Sequence, residues 1–165
     1  MKFNEVFIDD TKNVSRIDSK EFNQKGNIAI IDQGKELIAG YTDVQYPKVC
    51  CDERIIFGDH TRIFKYIDFP FVCGADGTKV LKVIDPNKVN CKYMYYYLLS
   101  SFIPNTGYNR HFKWVKELDF KIPKYDEQLV IVNKLYKIEE LIKIRKDQIK
   151  KLEELQSALM QEYFE

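Results

Sequence analysis

Asp59, His60 and Arg62 fall within four residues of one another in the stretch FGDHTRIFKYIDFPFVCGADGTKVL, Phe57 to Leu81. An acid, a base and a phosphate-binding guanidinium in one turn could serve a metal-dependent nuclease built on Asp59 and His60. Nuclease centres of that type add a second cluster of carboxylates and lysine, and none accompanies these three residues. The simpler expectation is that Asp59 caps the turn after the strand Arg54 to Phe57, with His60, Thr61 and Arg62 structural or facing DNA. Downstream, Gly74-Ala75-Asp76-Gly77-Thr78-Lys79 lacks the spacing of a phosphate-binding loop. It reads as a glycine turn between strands, from which Lys79 can still reach a phosphate.

A second set of residues is better suited to reading nucleic acid. NTGYNRHFK, Asn105 to Lys113, brings Asn105, Tyr108, Asn109, Arg110, His111 and Lys113 close together around a glycine. Asparagine can pair with adenine and arginine with guanine, while lysine and histidine suit phosphate. The competing reading is a surface loop that packs Tyr108 and Phe112 and leaves its charges solvated. Between Pro104 and Lys124 the cations Arg110, Lys113, Lys116, Lys121 and Lys124 outnumber Glu117 and Asp119, as expected for a polyanion-binding patch or for an ordinary basic face. His60, Arg62, Lys65 and Lys79 form the next group of DNA-facing candidates. The net charge of +1 conceals an asymmetry: from Asp126 onward seven Lys/Arg stand against nine Asp/Glu, which leaves 19 against 16 in the preceding residues.

Composition bounds the rest. With 165 residues, 45% hydrophobic and 31% charged, the chain has the material for one cored domain and an appended element. No apolar run approaches the roughly 18 residues of a bilayer span, and the start Met-Lys-Phe-Asn lacks the apolar core of a signal peptide, so a cytoplasmic location is expected. Cys50, Cys51, Cys73 and Cys91 show no C-x-x-C spacing, and His60 and His111 are far apart, so neither a metal nor a cofactor is expected. Cys50 and Cys51, adjacent in a β-like run, should point to opposite faces as free buried thiols.

The elements that must position these residues fall into two regions. Up to Ile122 the pattern is short strands and turns with one helix, an α/β (α+β) globular domain over residues 1–123. Asn27 to Asp32, Val49 to Phe57, Phe69 to Gly74 and Thr78 to Ile84 are strand-like, and Gly26, Gly34, Gly58 and Gly77 punctuate them. Asn90 to Phe102 reads as a helix whose tyrosines serve packing, with Asp85-Pro86-Asn87 as turn and cap. From Lys124 to Glu165 there is neither Gly nor Pro, and Asp126 can cap a helix. Ile131, Leu135, Ile138, Ile142, Ile149, Leu152, Leu159 and Tyr163 follow steps of three and four, with Arg145 and Gln156 filling the same seam and Leu141 and Leu155 widening it. That describes a long coiled-coil helix, residues 124–165, of roughly 60 Å. A globule of about 120 residues, with a radius of gyration of ~14 Å, is too small to cover it.

At this point a family resemblance is visible. IPKYDEQLVIVNKLYKIEELIKIRKDQIKKLEELQSALMQEYF resembles the proline, Glu-Gln and long helix that close a repeat in the specificity subunits of type I restriction–modification systems, with Lys124-Tyr125 where a second proline is more usual. Upstream, IIDQGKELIAGYTD, IIFGDHTRIFKYIDFPFVCGADGTKVL and GYNRHFKWVKELDFKIP resemble segments of one subgroup of that family's target recognition domains. The resemblance implies a non-catalytic reader of double-stranded DNA that directs partner methyltransferase and restriction subunits. No S-adenosylmethionine motif or Asn-Pro-Pro-Tyr type motif is visible, so methyl transfer should belong to a partner. Family members normally carry two recognition domains joined by two antiparallel helices. One domain and one helix correspond to half a subunit, expected to dimerise through Ile131, Leu135, Ile138, Ile142, Ile149, Leu152 and Leu159 and to read a split palindromic site. A coiled-coil adaptor that does not touch DNA and an orphaned gene fragment are the other readings, beside the nuclease.

Overall fold

The computed structural model describes residues 1–46, 48–74 and 76–164; Pro47, Ala75 and Glu165 lie outside the described residues. Among those described, the strands β1 (Phe7–Asp9), β2 (Ile28–Ile31), β3 (Gly40–Thr42), β4 (Arg54–Gly58), β5 (Phe64–Ile67), β6 (Phe71–Cys73) and β7 (Thr78–Val83) form two sheets. One has the order β1-β7-β4-β5 and is antiparallel throughout. The other has the order β3-β2-β6, with β2 and β6 parallel in the register Ala29↔Phe71, Ile30↔Val72 and Ile31↔Cys73. The helices are α1 (Phe3–Val6), α2 (Cys91–Ser100), α3 (Phe112–Lys116) and α4 (Tyr125–Phe164). The chain thus has a mixed α/β domain and a long C-terminal helix.

Why these elements form follows from burial. Every residue of β4 is buried, which explains its unbroken apolar run flanked by Arg54 and Gly58. Ile56 and Val80 share a core with Ile31, Phe71 and Cys73. Arg54 is itself only 6% exposed and is neutralised by Asp10, Nε to Oδ2 at 2.9 Å. A buried guanidinium is tolerated because a carboxylate and the Glu53 carbonyl satisfy its donors. Helix α2 packs against β5 and β4 with Tyr93, Met94 and Leu98 buried and the neighbouring tyrosines half-buried, in keeping with a packing role.

Several local details differ from the sequence reading. The strand expected from Val49 begins at Arg54; Cys50 makes only an isolated bridge to Phe71. Cys51 is exposed, so of that adjacent pair Cys50 alone is buried, and burial pushes the Cys50 thiol up. Asp85 shapes a turn by accepting from Lys88 N, but the cap of α2 is Asn90, whose side chain accepts from Tyr93 N at 2.9 Å. Asp126 lies inside the first turn of α4, where its charge suits the helix dipole, while Glu127 accepts from Lys124 N at 3.2 Å.

The chain divides into compact units Met1–Gln128 and Leu129–Glu165. The first therefore includes the opening turn of α4, and Gln128 is the reason. It is fully buried, its Oε1 accepts from Asn90 N at 2.8 Å, and its Nε2 donates to Lys88 O and Pro123 O at 2.9 Å each. Replacing it strands one donor and two acceptors in a dry site. Gln128→Ala is expected to lower the unfolding free energy by about 3 kcal/mol, read as a drop in the urea midpoint at unchanged slope.

Candidate nucleic-acid interface

Four segments distant in sequence meet at one end of the sheets: residues 32–34 after β2, residues 58–62 after β4, residues 74 and 76–77 between β6 and β7, and residues 103–112 after α2. The expected glycine turn between β6 and β7 is present, and Gly77 within it adopts φ +86. A Cβ there would meet His60 at 2.9 Å and Gln33 at 3.0 Å, so glycine is required both for conformation and for close approach. At Gly58 a Cβ would lie 2.1 Å from Thr61 Oγ1. Arg62 takes a left-handed φ of 62, uncommon for a side-chain-bearing residue, and its guanidinium donates to Ile103 O at 3.3 Å.

Asp59 holds this end together. It is 2% exposed; its Oδ1 accepts from Phe112 N at 2.7 Å and its carbonyl accepts from His111 N at 2.8 Å. Its own N–H donates to Gly77 O at 2.8 Å. His111 is fully buried: Nδ1 lies 3.0 Å from the Asp59 carbonyl, which requires an Nδ1–H tautomer and leaves Nε2 to accept from Thr106 N at 3.3 Å. Gln33 ties three loops, accepting from His60 N and Thr61 Oγ1 and donating to Asp76 O at 2.9 Å. A nuclease built on Asp59 and His60 is disfavoured by this arrangement, because the carboxylate is committed to the backbone of the neighbouring loop and the His60 ring stacks on Tyr108, centroids 5.0 Å apart at 13°.

The residues singled out from sequence separate into two sets. Exposed at this end are Asn105, Tyr108, Asn109, Arg110 and Lys113, with Tyr108 91% exposed. Asn105 Oδ1 accepts from Gly107 N at 3.1 Å and Asn109 Nδ2 donates to Thr106 O, so both side chains shape the loop as it stands. His60, Arg62 and Lys79 are half-buried, and Lys79 lies over the Phe112 ring at 5.4 Å. Lys65 and His111 face inward. Lys65 is 4% exposed and donates to Asp32 O at 2.8 Å; burial lowers its pKa, against the raising effect of Asp32. It braces β5 against the residue after β2.

Sequence reasoning missed Arg16, Gln33 and Asp76. Asp76 Oδ1 is 2.9 Å from Arg16, and its Oδ2 is 3.5 Å from Arg110. A hydrogen bond from Gly77 N–H, then the Arg16 charge, hold its carboxyl below the usual carboxylate range. No residue type marked these three, since their roles arise from which loops the sheets bring together. Among the described residues no group of three or more His, Cys, Asp and Glu could hold a metal ion.

The family model for the type I restriction modification DNA specificity domain matches residues 1–154. The chain belongs to that family. This specificity domain also shares its fold with two solved proteins. One is the S subunit of a type I restriction-modification system from M. genitalium, with TM-score 0.66 and 22% identity, covering 99% of this chain and 43% of that one. The other is the HsdS subunit from Thermoanaerobacter tengcongensis, at TM-score 0.56 and 16% identity, covering 90% and 39%. The type I restriction enzyme EcoR124I/EcoR124II specificity subunit of Escherichia coli is 31% identical over 84 residues, 50% of this chain and 21% of that protein. The matched half of this chain thus corresponds to about a fifth of the E. coli protein's length, and the chain covers about two fifths of each of the two solved chains.

The Asp59 clasp makes a direct prediction. Asp59→Ala should lower stability by about 1–3 kcal/mol by leaving the Phe112 amide unpaired in a buried site. Amide hydrogen exchange should rise in residues 103–112 before the β4 and β7 strands are affected.

Proposed function

We propose that this specificity domain reads one half of a split double-stranded DNA site, without itself cutting or methylating, and directs methyltransferase and restriction subunits to it. The observation that carries the reading is the loop of residues 105–110, exposed and polar, mounted on the buried clasp of Asp59 and His111. Preorganised loops of this kind present base-reading side chains at low ordering cost. Arg110 and the asparagines Asn105 and Asn109 are the base readers, and Lys113, Arg62, Lys79 and Arg16 contact phosphate. His60 supports the Tyr108 ring, while Lys65 and His111 hold the loops from within. Asp76 screens Arg16 and Arg110 until DNA displaces it.

Residues 1–123 serve recognition and residues 124–165 serve pairing. The seam of α4 is exposed at Ile138, Ile142, Ile149, Leu152 and Leu159, and burying it against the same helix of a second copy stabilises a dimer by several kcal/mol at about 25 cal/mol per Å². A two-fold pair of readers matches a palindromic split site. No helix is long and apolar enough to cross a membrane among the described residues.

Two experiments test the reading. In complex with a methyltransferase subunit, Arg110→Ala should lose discrimination at one base pair by roughly 1–3 kcal/mol. Lys113→Ala should weaken binding to all sequences and lower the salt slope by about one. Unchanged affinity and slope in both, with the fold intact by circular dichroism, places the DNA surface elsewhere. Separately, Ile142→Asp should shift sedimentation at micromolar concentration from dimer to monomer, and a wild-type chain that already sediments as a monomer refutes pairing through α4.

A further inference from the structure

The seam of α4 is interrupted by two polar residues, Arg145 and Gln156, whose placement limits how a second helix can lie on it. Around them Ile138, Ile142, Ile149, Leu152, Leu159 and Tyr163 are between 44% and 74% exposed. A guanidinium in a helical seam needs a polar partner in its own layer, because an apolar neighbour strips its hydration and returns nothing. Arg145 already donates to Gln148 Oε1 at 2.9 Å on its own helix, which satisfies part of the fork and leaves the remaining donors for a partner.

We propose that the seam is covered by α4 of a second copy running antiparallel, with the two-fold axis passing between Lys150 and Lys151. The inference rests on the reading of α4 as a homodimer helix and assigns its orientation and register. In a parallel, in-register pair Arg145 meets Arg145 of the second copy, and two like charges share one layer. Antiparallel pairs can slide only by whole heptads, since other shifts turn the seam away from its partner. With the axis at Asp147, Arg145 faces Ile149 and Gln156 faces Ile138, so both polar residues are opposed by isoleucine. That register also sets Glu139 beside Glu153 and Lys146 beside its own copy. One heptad the other way from the proposed axis, with the axis at Glu154, Arg145 faces Tyr163, but Gln156 faces Leu152 and Glu153 stands beside its own copy. With the axis between Lys150 and Lys151, Arg145 and Gln156 lie equally far on either side of it and fall in the same layer. The remaining layers then pair Ile138 with Tyr163, Ile142 with Leu159 and Ile149 with Leu152, all apolar. At the flank Lys146 stands beside Glu153, an attractive pair that symmetry repeats.

Disulfide trapping in the full-length chain tests the register, in a Cys51→Ser background that removes the exposed native thiol. Ile142→Cys and Leu159→Cys chains mixed and oxidised should cross-link with each other, while neither should cross-link with itself. In the proposed register Ile142 and its own copy are about 26 Å apart along the axis at 1.5 Å per residue. Self-linking of Ile142→Cys overturns the antiparallel orientation. Linking of Ile142→Cys to Leu152→Cys in place of Leu159→Cys places the axis at Asp147 and overturns the register. Absence of any cross-link in a chain that sediments as a dimer overturns the proposed seam geometry alone, whereas absence of both cross-link and dimer overturns the homodimer reading as well. As an independent check, Lys146→Glu should raise the dimer dissociation constant about tenfold, and adding Glu153→Lys should restore it. Failure of the second change to rescue the first overturns the pairing of these two residues.

Discussion

A carboxylate that is 2% exposed must find partners inside the protein, and Asp59 finds them in the backbone of a loop that begins some forty residues later in the chain. The strand end that carries Asp59 is rigid because β4 is buried along its whole length between β5 and β7. That rigidity passes through one hydrogen bond to Phe112 N and two to the Asp59 carbonyl, so the polar loop above inherits the precision of the sheet below. His111 completes the arrangement with both ring nitrogens engaged. The exposed side chains of residues 105–110 can therefore be polar and adaptable without the loop itself being soft.

Much of this was legible in the sequence, and the exceptions have a common cause. The strands β2, β4, β6 and β7 announce themselves through runs of Ile, Val and Phe, and α2 and α4 through helical periodicity. The strands β1, β3 and β5, reading FID, GYT and FKYI, are too short and mixed for a pattern to emerge, and they exist because a neighbouring edge offers them a ladder. Lys65 illustrates the effect on the site. Its charge suggests solvent or phosphate, yet a carbonyl and a carboxylate from Asp32 make burial acceptable. That partner is supplied by tertiary arrangement and leaves no mark on composition.

The same limit applies to the loops. Arg110 and Tyr108 stand out by residue type, whereas Gln33 and Asp76 matter only because β2 and β6 run side by side in parallel and deliver their following turns to the same place. His111 shows the converse error, since a histidine in a basic stretch suggests the surface but is fully buried here. In the long helix, by contrast, sequence and structure carry nearly the same information, because a helical seam depends on spacing alone. Gln128 marks where that ceases to hold, a polar residue in the first turn whose three hydrogen bonds bind it to the segments around Lys88, Asn90 and Pro123.

The pairing of β1 with β7, and the bridge from Lys2 to Asp119, bear on how the chain acquires its structure. During synthesis the first strand is left without a partner until β7 has left the ribosome, and the residues around Lys2 wait longer still. β2 can pair early with β3, but its other edge waits, because its parallel neighbour β6 follows only after β4 and β5. Contacts that close such long loops form late and slow the search for the native state. Until then Phe3, Val6 and Phe7, all buried in the finished domain, are exposed to solvent. The nascent chain is consequently open to aggregation and to chaperone capture over most of its length, even though its final helix can form locally as soon as it emerges.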